Sequence, residues 1–160
     1  MKVDIFEQKK GMTTLKRVNS GHPGFRKLII ELDKELWNIF GTVQAQYDQY
    51  NSIEQIDTVV LAYEQDTVVA CGCFKQYDAQ TVEIKRMFVV PGRRSAGVAT
   101  LLLQELEAWA RELQYQAAIL ETGKIMPAAV RLYEKNGYVV TENYGQYVGM
   151  EQSVCMRKRL

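Results

Sequence analysis

The sequence predicts a mixed α/β fold: a mostly antiparallel sheet with one parallel strand pair, flanked by helices on both faces. Three observations predict it. Strand-like and helix-like segments follow the order ααβββαβαββ after an optional first strand. A β-helix-β unit over 81–121 demands a right-handed crossover and hence a parallel pair. The two β-branched runs at 58–75 are instead joined tightly enough to form an antiparallel hairpin. With 160 residues the chain fits one domain over 1–160, and a continuous core needs no disulfide or metal staple.

Taken in order, residues 12–19 fit the first strand, and Gly21-His22-Pro23-Gly24 fits a turn ahead of a helix. From Phe25 to Phe40 the apolar residues Leu28, Ile29, Leu32, Leu36, Ile39 and Phe40 recur at three- and four-residue intervals, an amphipathic helix with Gly41 as its stop. A more polar helical segment over Val43–Tyr50 carries Tyr47 and Tyr50. Thr58–Tyr63 and Thr67–Lys75, linked by Glu64-Gln65-Asp66, form the hairpin. Thr81–Val90 is a strand ended by Pro91-Gly92. Gly97–Leu113 is a helix with Leu101, Leu102, Leu106, Trp109, Ala110 and Leu113 on or near one stripe. Ala117–Glu121 is a short apolar strand. Pro127 opens a helix where its missing N–H costs little, and Asn136-Gly137 closes it. Tyr138–Glu142 and Ser153–Arg157 are the last strands.

Composition removes several function classes. Twenty Lys+Arg against nineteen Asp+Glu leave a charge of +1, so no global electrostatic grip on nucleic acid or an anionic membrane is expected, although a local basic patch stays open. No run approaches the ~20 apolar residues of a membrane span, and Met1–Lys10 lacks the apolar core of a secretory signal. The expectation is a reduced, cytoplasmic protein. Cys71 and Cys73 resemble half a zinc site, but the spacing is one residue short and the chain has one histidine. Reduced core thiols, with Cys155 a third, fit better, and no metal is expected. Any Ser-His or Cys-His system would have to use His22, whose turn setting favours a structural role. Carboxylates, tyrosines and backbone amides remain to carry chemistry.

The stretch Glu83-Ile-Lys-Arg-Met-Phe-Val-Val-Pro-Gly-Arg-Arg-Ser-Ala-Gly-Val-Ala runs from strand through turn into helix. Backbone N–H groups of Ser95, Ala96, Gly97, Val98 and Ala99 would lie at the positive end of that helix, with small side chains beside them. Arg93 and Arg94 add charge. Such a turn suits an anion, most naturally a pyrophosphate. The P-loop and dinucleotide fingerprints both fit poorly, since Val98-Ala99 follow Gly97 and only one glycine lies at the turn. On spacing alone, an arginine-rich surface turn capping a core helix is an equal alternative.

Arg94-x-x-Gly97-x-Ala99, preceded by Val89-x-Pro91, resembles the acetyl-CoA-binding motif of the GNAT N-acyltransferase superfamily. The strand ending in Leu120-Glu121-Thr122-Gly123 and the run Leu132-Tyr133-Glu134-Lys135-Asn136-Gly137-Tyr138 are similar to the rest of that core, over about residues 58–160. Glu-Ile-Lys-Arg-Met and Asn143-Tyr144-Gly145-Gln146-Tyr147 resemble one bacterial subfamily of mostly uncharacterised acetyltransferases. The resemblance implies a splayed parallel pair. It also implies a cofactor core at about 58–140 and acceptor-site elements at about 22–52 and 138–160. Acetyl-CoA would be held by the backbone of Met87, Phe88 and Val89 along its arm and by Arg94, Ser95, Ala96, Gly97, Val98, Ala99 and Thr100 at its pyrophosphate. Many members place an Asn seven residues before the tyrosine, where this chain has Met126.

Acetyl transfer to an amine needs a neutral amine, a stabilised oxyanion and a proton for the departing thiolate. Backbone N–H groups near Phe88 and Val89 suit the oxyanion. By resemblance Tyr133 is the acid, and Glu83, Glu121 or an ordered water alone the base, with Glu83 slightly favoured over Glu121; a core tyrosine and ion pairs with Lys85, Arg86 or Lys124 are the structural alternatives. Direct attack in a ternary complex leaves the cysteines without an acyl-enzyme role. Tyr47, Tyr50, Tyr144 and Tyr147, with Asp48, Glu142 and Glu151, suit a cationic amine or make an exposed polar rim. The partners expected are acetyl-CoA and a small-molecule or protein amine, with a homodimer left open. The competing readings are an acyl-CoA sensor without turnover and a phosphate-binding protein using the glycine turn alone.

Overall fold

The structure, a computed structural model, describes residues 9–10 and 13–160. Met12, the first residue of the expected opening strand, lies outside the described residues. The chain divides into two compact units, Met1–Phe74 with Arg86–Leu106, and Lys75–Lys85 with Glu107–Leu160.

In the first unit the strand order is β1 (Lys9–Lys10), β2 (Thr13–Val18), β3 (Val59–Glu64), β4 (Thr67–Gln76, as far as Phe74) and the end of β5 (Thr81–Val89, from Arg86). The ladders β1–β2, β2–β3 and β3–β4 are antiparallel. Helix α1 (Pro23–Phe40) starts two residues earlier than periodicity suggests, because His22 caps it: its Nδ1 accepts from Gly24 N at 3.0 Å, with Pro23 at the first turn. Gly41 ends it at φ +57. Phe25, Leu28, Ile29 and Leu32 are its buried face, set against Val59, Leu61, Cys71, Cys73 and Phe88. Ile39 lies off that face and is exposed. The polar segment that follows is split into a 3-10 turn, Gly41–Gln44, and the short α2 (Ala45–Asp48).

The second unit orders the start of β5, then β6 (Ala117–Gly123), β8 (Ser153–Arg159) and the edge strand β7 (Val139–Thr141). Strands β5 and β6 are parallel, in the register Thr81↔Ala117, Val82↔Ala118 and Glu83↔Ile119, while β8 runs antiparallel to both its neighbours. This is the mixed, mostly antiparallel sheet the sequence predicts. Helix α3 (Val98–Glu112) contributes residues to both units, and its buried apolar positions are Val98, Leu102, Leu103, Leu106 and Ala110. Leu113 falls beyond its end and is exposed, so it is not part of the stripe. Helix α4 (Pro127–Lys135) opens on Pro127 and closes at Asn136, followed by Gly137 at φ +91.

The helices also bury two carboxylates. Glu105 accepts from Arg17 Nε at 2.7 Å in the first unit. Glu107, 2% exposed, accepts from Lys158 Nζ at 2.8 and 3.0 Å and from the Tyr138 hydroxyl in the second. Each buried charge is thus paired, as its desolvation requires.

Candidate active site

In the first unit, β5 ends in a single 3-10 turn, Pro91–Arg93, and the chain reaches α3 through Ser95 at φ +66 and Gly97 at φ +81. The earliest bond of the α3 ladder is Leu101 N–H to Gly97 O at 3.2 Å, so the amides of Val98, Ala99 and Thr100 precede the ladder and project from the positive end of the helix. A Cβ built on Gly97 meets nothing within 4 Å. The turn is therefore an open, small-walled cradle of donors, which fits a pyrophosphate.

The two arginines serve this turn differently from free phosphate cations. Arg94 donates from Nε to Val89 O at 2.8 Å and from Nη2 to Glu35 at 2.6 Å, with its guanidinium 5.5 Å from the Phe88 ring centre. Arg93 pairs with Glu64 at 2.6 Å. Their charges are already engaged, and Arg94 braces the turn against β5 and α1. Within β5, Arg86 adopts φ +58, a conformation uncommon for a non-glycine residue. Its Nη2 donates to Asp33 Oδ1 at 2.5 Å, and its buried Nε has no hydrogen-bond partner. Met87 turns its thioether toward Gly72, and Phe88 is buried in the α1 core, which leaves backbone as what β5 can offer a ligand here.

The second unit brings both candidate bases and the candidate acid together. Glu83 and Lys85, two residues apart on β5, face the same way. Tyr144 O–H donates to Glu83 Oε2 at 2.7 Å, and Lys85 Nζ stands 3.6 Å from Oε1 and 3.5 Å from the Tyr147 hydroxyl. On β6, Glu121 is opposite Cys155 of β8. Burial pushes its carboxyl up to about 7, against the lowering pull of a Ser153 hydrogen bond and the Lys85 charge, with the Glu83 charge adding to the rise. Tyr133, on the buried face of α4, has its phenol pushed well up, first by burial and then by the Glu121 charge. Its ring meets that of Tyr138 edge-on at 5.8 Å, and Tyr138 is tied to Glu107. Lys85 is thus the ion-pair partner of Glu83, while Arg86 pairs with Asp33 and with neither carboxylate.

The other expected residues separate. Tyr144 and Tyr147 belong to the cluster around Glu83, with rings edge-on at 5.5 Å. Glu142 and Glu151 are exposed on the same segment. Tyr47, Asp48 and Tyr50 belong to the first unit, around α2. Met126 caps α4 without a side-chain hydrogen bond. Cys71, Cys73 and Cys155 are buried free thiols; burial pushes Cys71 far up and Cys155 to about 11, so neither of these two is a ready nucleophile. Sequence reasoning missed Ser153, Tyr138 and Glu107, because each acts through a cross-strand or helix-to-strand contact that no local spacing encodes.

Among the described residues, no helix is long and apolar enough to cross a membrane. Residues 26–138 match the Acetyltransferase (GNAT) family. An IAA acetyltransferase from Azospirillum brasilense is 30% identical over 136 residues, 84% of this chain and 89% of that protein. "Probable N-acetyltransferase 14" from Xenopus tropicalis is 38% identical over 99 residues, 60% of this chain, and the match spans about half, 47%, of that relative. Among solved structures, an acyl-CoA N-acyltransferase assignment from Klebsiella pneumoniae superposes with TM-score 0.77 at 29% identity, covering 93% of this chain and 98% of the other. A GNAT acetyltransferase from Elizabethkingia anophelis with acetyl-CoA bound shares the fold at TM-score 0.70 and 19% identity, covering 94% and 100%. A family match over more than half the chain, a relative aligned nearly end to end, a strand–turn–helix cradle and a parallel strand pair converge on one assignment: the chain belongs to the GNAT acetyltransferase family.

Proposed function

We propose that the protein is an N-acetyltransferase that moves an acetyl group from acetyl-CoA to a primary amine by direct attack in a ternary complex. The observation that carries this is Glu121, a carboxyl brought to about 7 by burial, in the same cluster as the buried phenol of Tyr133. A base with that value is ionised often enough near neutrality to take a proton from an ammonium or attacking amine. Tyr133 stays protonated and gives its proton to the departing thiolate. When bound, acetyl-CoA supplies an activated acyl group on a good leaving group. The amides at 97–100 and the backbone of Met87–Val89 would hold it, and backbone N–H groups near Phe88 and Val89 would serve the oxyanion. Acetyl-CoA in the Elizabethkingia neighbour supports this reading, as does the open floor at Gly97. The reading places the protein in the cytoplasm, where acetyl-CoA is available.

An acetyl-CoA consumption screen over an amine library, read as free-thiol release, tests it. Turnover of at least one amine, lost in Glu121→Gln, is the expected result. Saturable acetyl-CoA binding without turnover of any amine would instead make the chain an acyl-CoA sensor.

A further inference from the structure

Glu83 and Glu121 differ in what surrounds them. Both oxygens of Glu83 are approached, Oε2 by the Tyr144 hydroxyl at 2.7 Å and Oε1 by Lys85 at 3.6 Å. The segment that delivers Tyr144 is bound into one piece. Asn143 Nδ2 donates to Tyr147 O at 3.0 Å and to Met150 O at 3.1 Å. Tyr147 N–H donates to Tyr144 O, Met150 N–H to Tyr147 O, and Ser153 N–H to Met150 O at 3.1 Å. The Ser153 hydroxyl then reaches Glu121. The Tyr144 ring sits edge-on between Tyr77, at 5.3 Å, and Tyr147. Its backbone N–H donates to Cys155 Sγ, a thiol with no exposed surface. Outward, the segment exposes Gly145, Val148, Gly149, Glu151 and Gln152.

We propose that Glu83 is the catch of a latch: by accepting from Tyr144 it holds segment 143–152 closed and Ser153 on Glu121, so that it positions the base and is not itself the base. The positioning half rests on the acetyl-transfer reading above; the latch does not. Breaking the Tyr144–Glu83 bond frees the segment up to Gln152, which stays tied to Lys124 N–H, loosens Ser153 at the end of the β6–β8 ladder and uncovers Cys155. Replacing Glu83 by Gln keeps an acceptor oxygen for Tyr144, whereas Ala removes it.

Cys155 makes the latch measurable without turnover. A thiol-reactive reagent is applied to the native protein and the labelled cysteines are identified by mass spectrometry. The wild type and Glu83→Gln label slowly at Cys155. Tyr144→Phe and Glu83→Ala label it about tenfold faster or more, the effect expected from losing a hydrogen bond to a charged group, and the double variant is no faster than either single one. Tyr144→Phe retains the Lys85–Glu83 pair and carries the test alone where Glu83→Ala fails to fold. For the best amine, Tyr144→Phe raises KM more than it lowers kcat, and Glu83→Gln rescues the turnover lost in Glu83→Ala. Wild-type labelling rates in Tyr144→Phe, or Glu83→Gln labelling as fast as Glu83→Ala, overturn the latch. A slow-labelling Glu83→Gln protein with kcat down a hundredfold makes Glu83 the base and overturns its positioning role. Absence of any turnover in the wild type sinks the acetyl-transfer reading and leaves the labelling result to decide the latch.

Discussion

Tyr133 is a phenol that its surroundings keep protonated: burial acts first, and the nearby Glu121 charge adds to it. A group so held stays protonated and can offer its O–H to a developing thiolate, but it cannot act as a base itself. Tyr133→Phe keeps the ring and its edge contact with Tyr138 while removing that proton. As a general acid Tyr133 is worth roughly 10²–10⁴ in rate, so kcat falls by that factor while the melting temperature moves little. A core role would show the reverse, a shifted melt with full turnover per folded molecule. Gly97 poses the complementary case. A methyl group there meets no protein atom, yet it imposes a left-handed conformation, φ +81, on an L-residue and intrudes on the cradle. Gly97→Ala is expected to cost stability by about 1–2 kcal/mol and to weaken acetyl-CoA binding about tenfold, ~1.4 kcal/mol. Calorimetric titration beside a thermal melt separates the two effects, and unchanged affinity in the folded variant rejects the cradle.

Strand β5 carries the most chemistry per residue, and its side chains explain which parts of the sequence were readable. The helices were legible because their apolar period needs no partner to be seen: Leu28, Ile29 and Leu32 mark a face whatever they pack on. The turn into α3 was legible because small residues and glycine are its only economical solution. The positive φ of Arg86, its pairing with Asp33 and the burial of Glu105 and Glu107 were not, since each depends on a residue far away in the chain. Gly72 on β4 is a related case. Its missing side chain is the space that the Met87 thioether and Leu106 occupy, so a glycine inside a strand marks a close approach that only the fold reveals. Gly72→Val forces Met87 off that position and is expected to destabilise by about 1–3 kcal/mol. Acetyl-CoA affinity falls with it if the Met87–Val89 backbone is the ligand's partner. A destabilised variant with unaltered affinity would detach Met87 from the binding strand.

At the scale of the whole chain, the family and the mixed sheet were readable because motifs in a fixed order are more specific than any one of them. The choice between Glu83 and Glu121 was not. Both are acids on neighbouring strands, and their surroundings differ by a tyrosine sixty-one residues downstream that bonds one and a serine, diagonal on the facing strand, that bonds the other. A ligand that binds the folded chain alone stabilises it, by about 2.7 kcal/mol at a hundred times Kd. Acetyl-CoA at that ratio is therefore expected to raise the melting temperature by roughly 5–10 °C, and ADP by less at equal concentration, since it lacks the pantetheine arm. Equal shifts would favour a site that reads phosphate alone. Glu121 also gives the protein a self-imposed fragility. Its carboxyl is held near 7 when folded, well above its value in an unfolded chain, so the fold prefers it protonated. That preference supports the native state fully at pH 4 and is withdrawn as pH climbs through about 7, at a cost of up to about 3 kcal/mol. The protein is thus least at ease in the ionisation state that the proposed base role requires. Glu121→Gln should melt higher than the wild type at pH 8, show no such advantage at pH 4 and, with Glu121 as the proposed base, lose turnover: a sturdier protein without its proton acceptor.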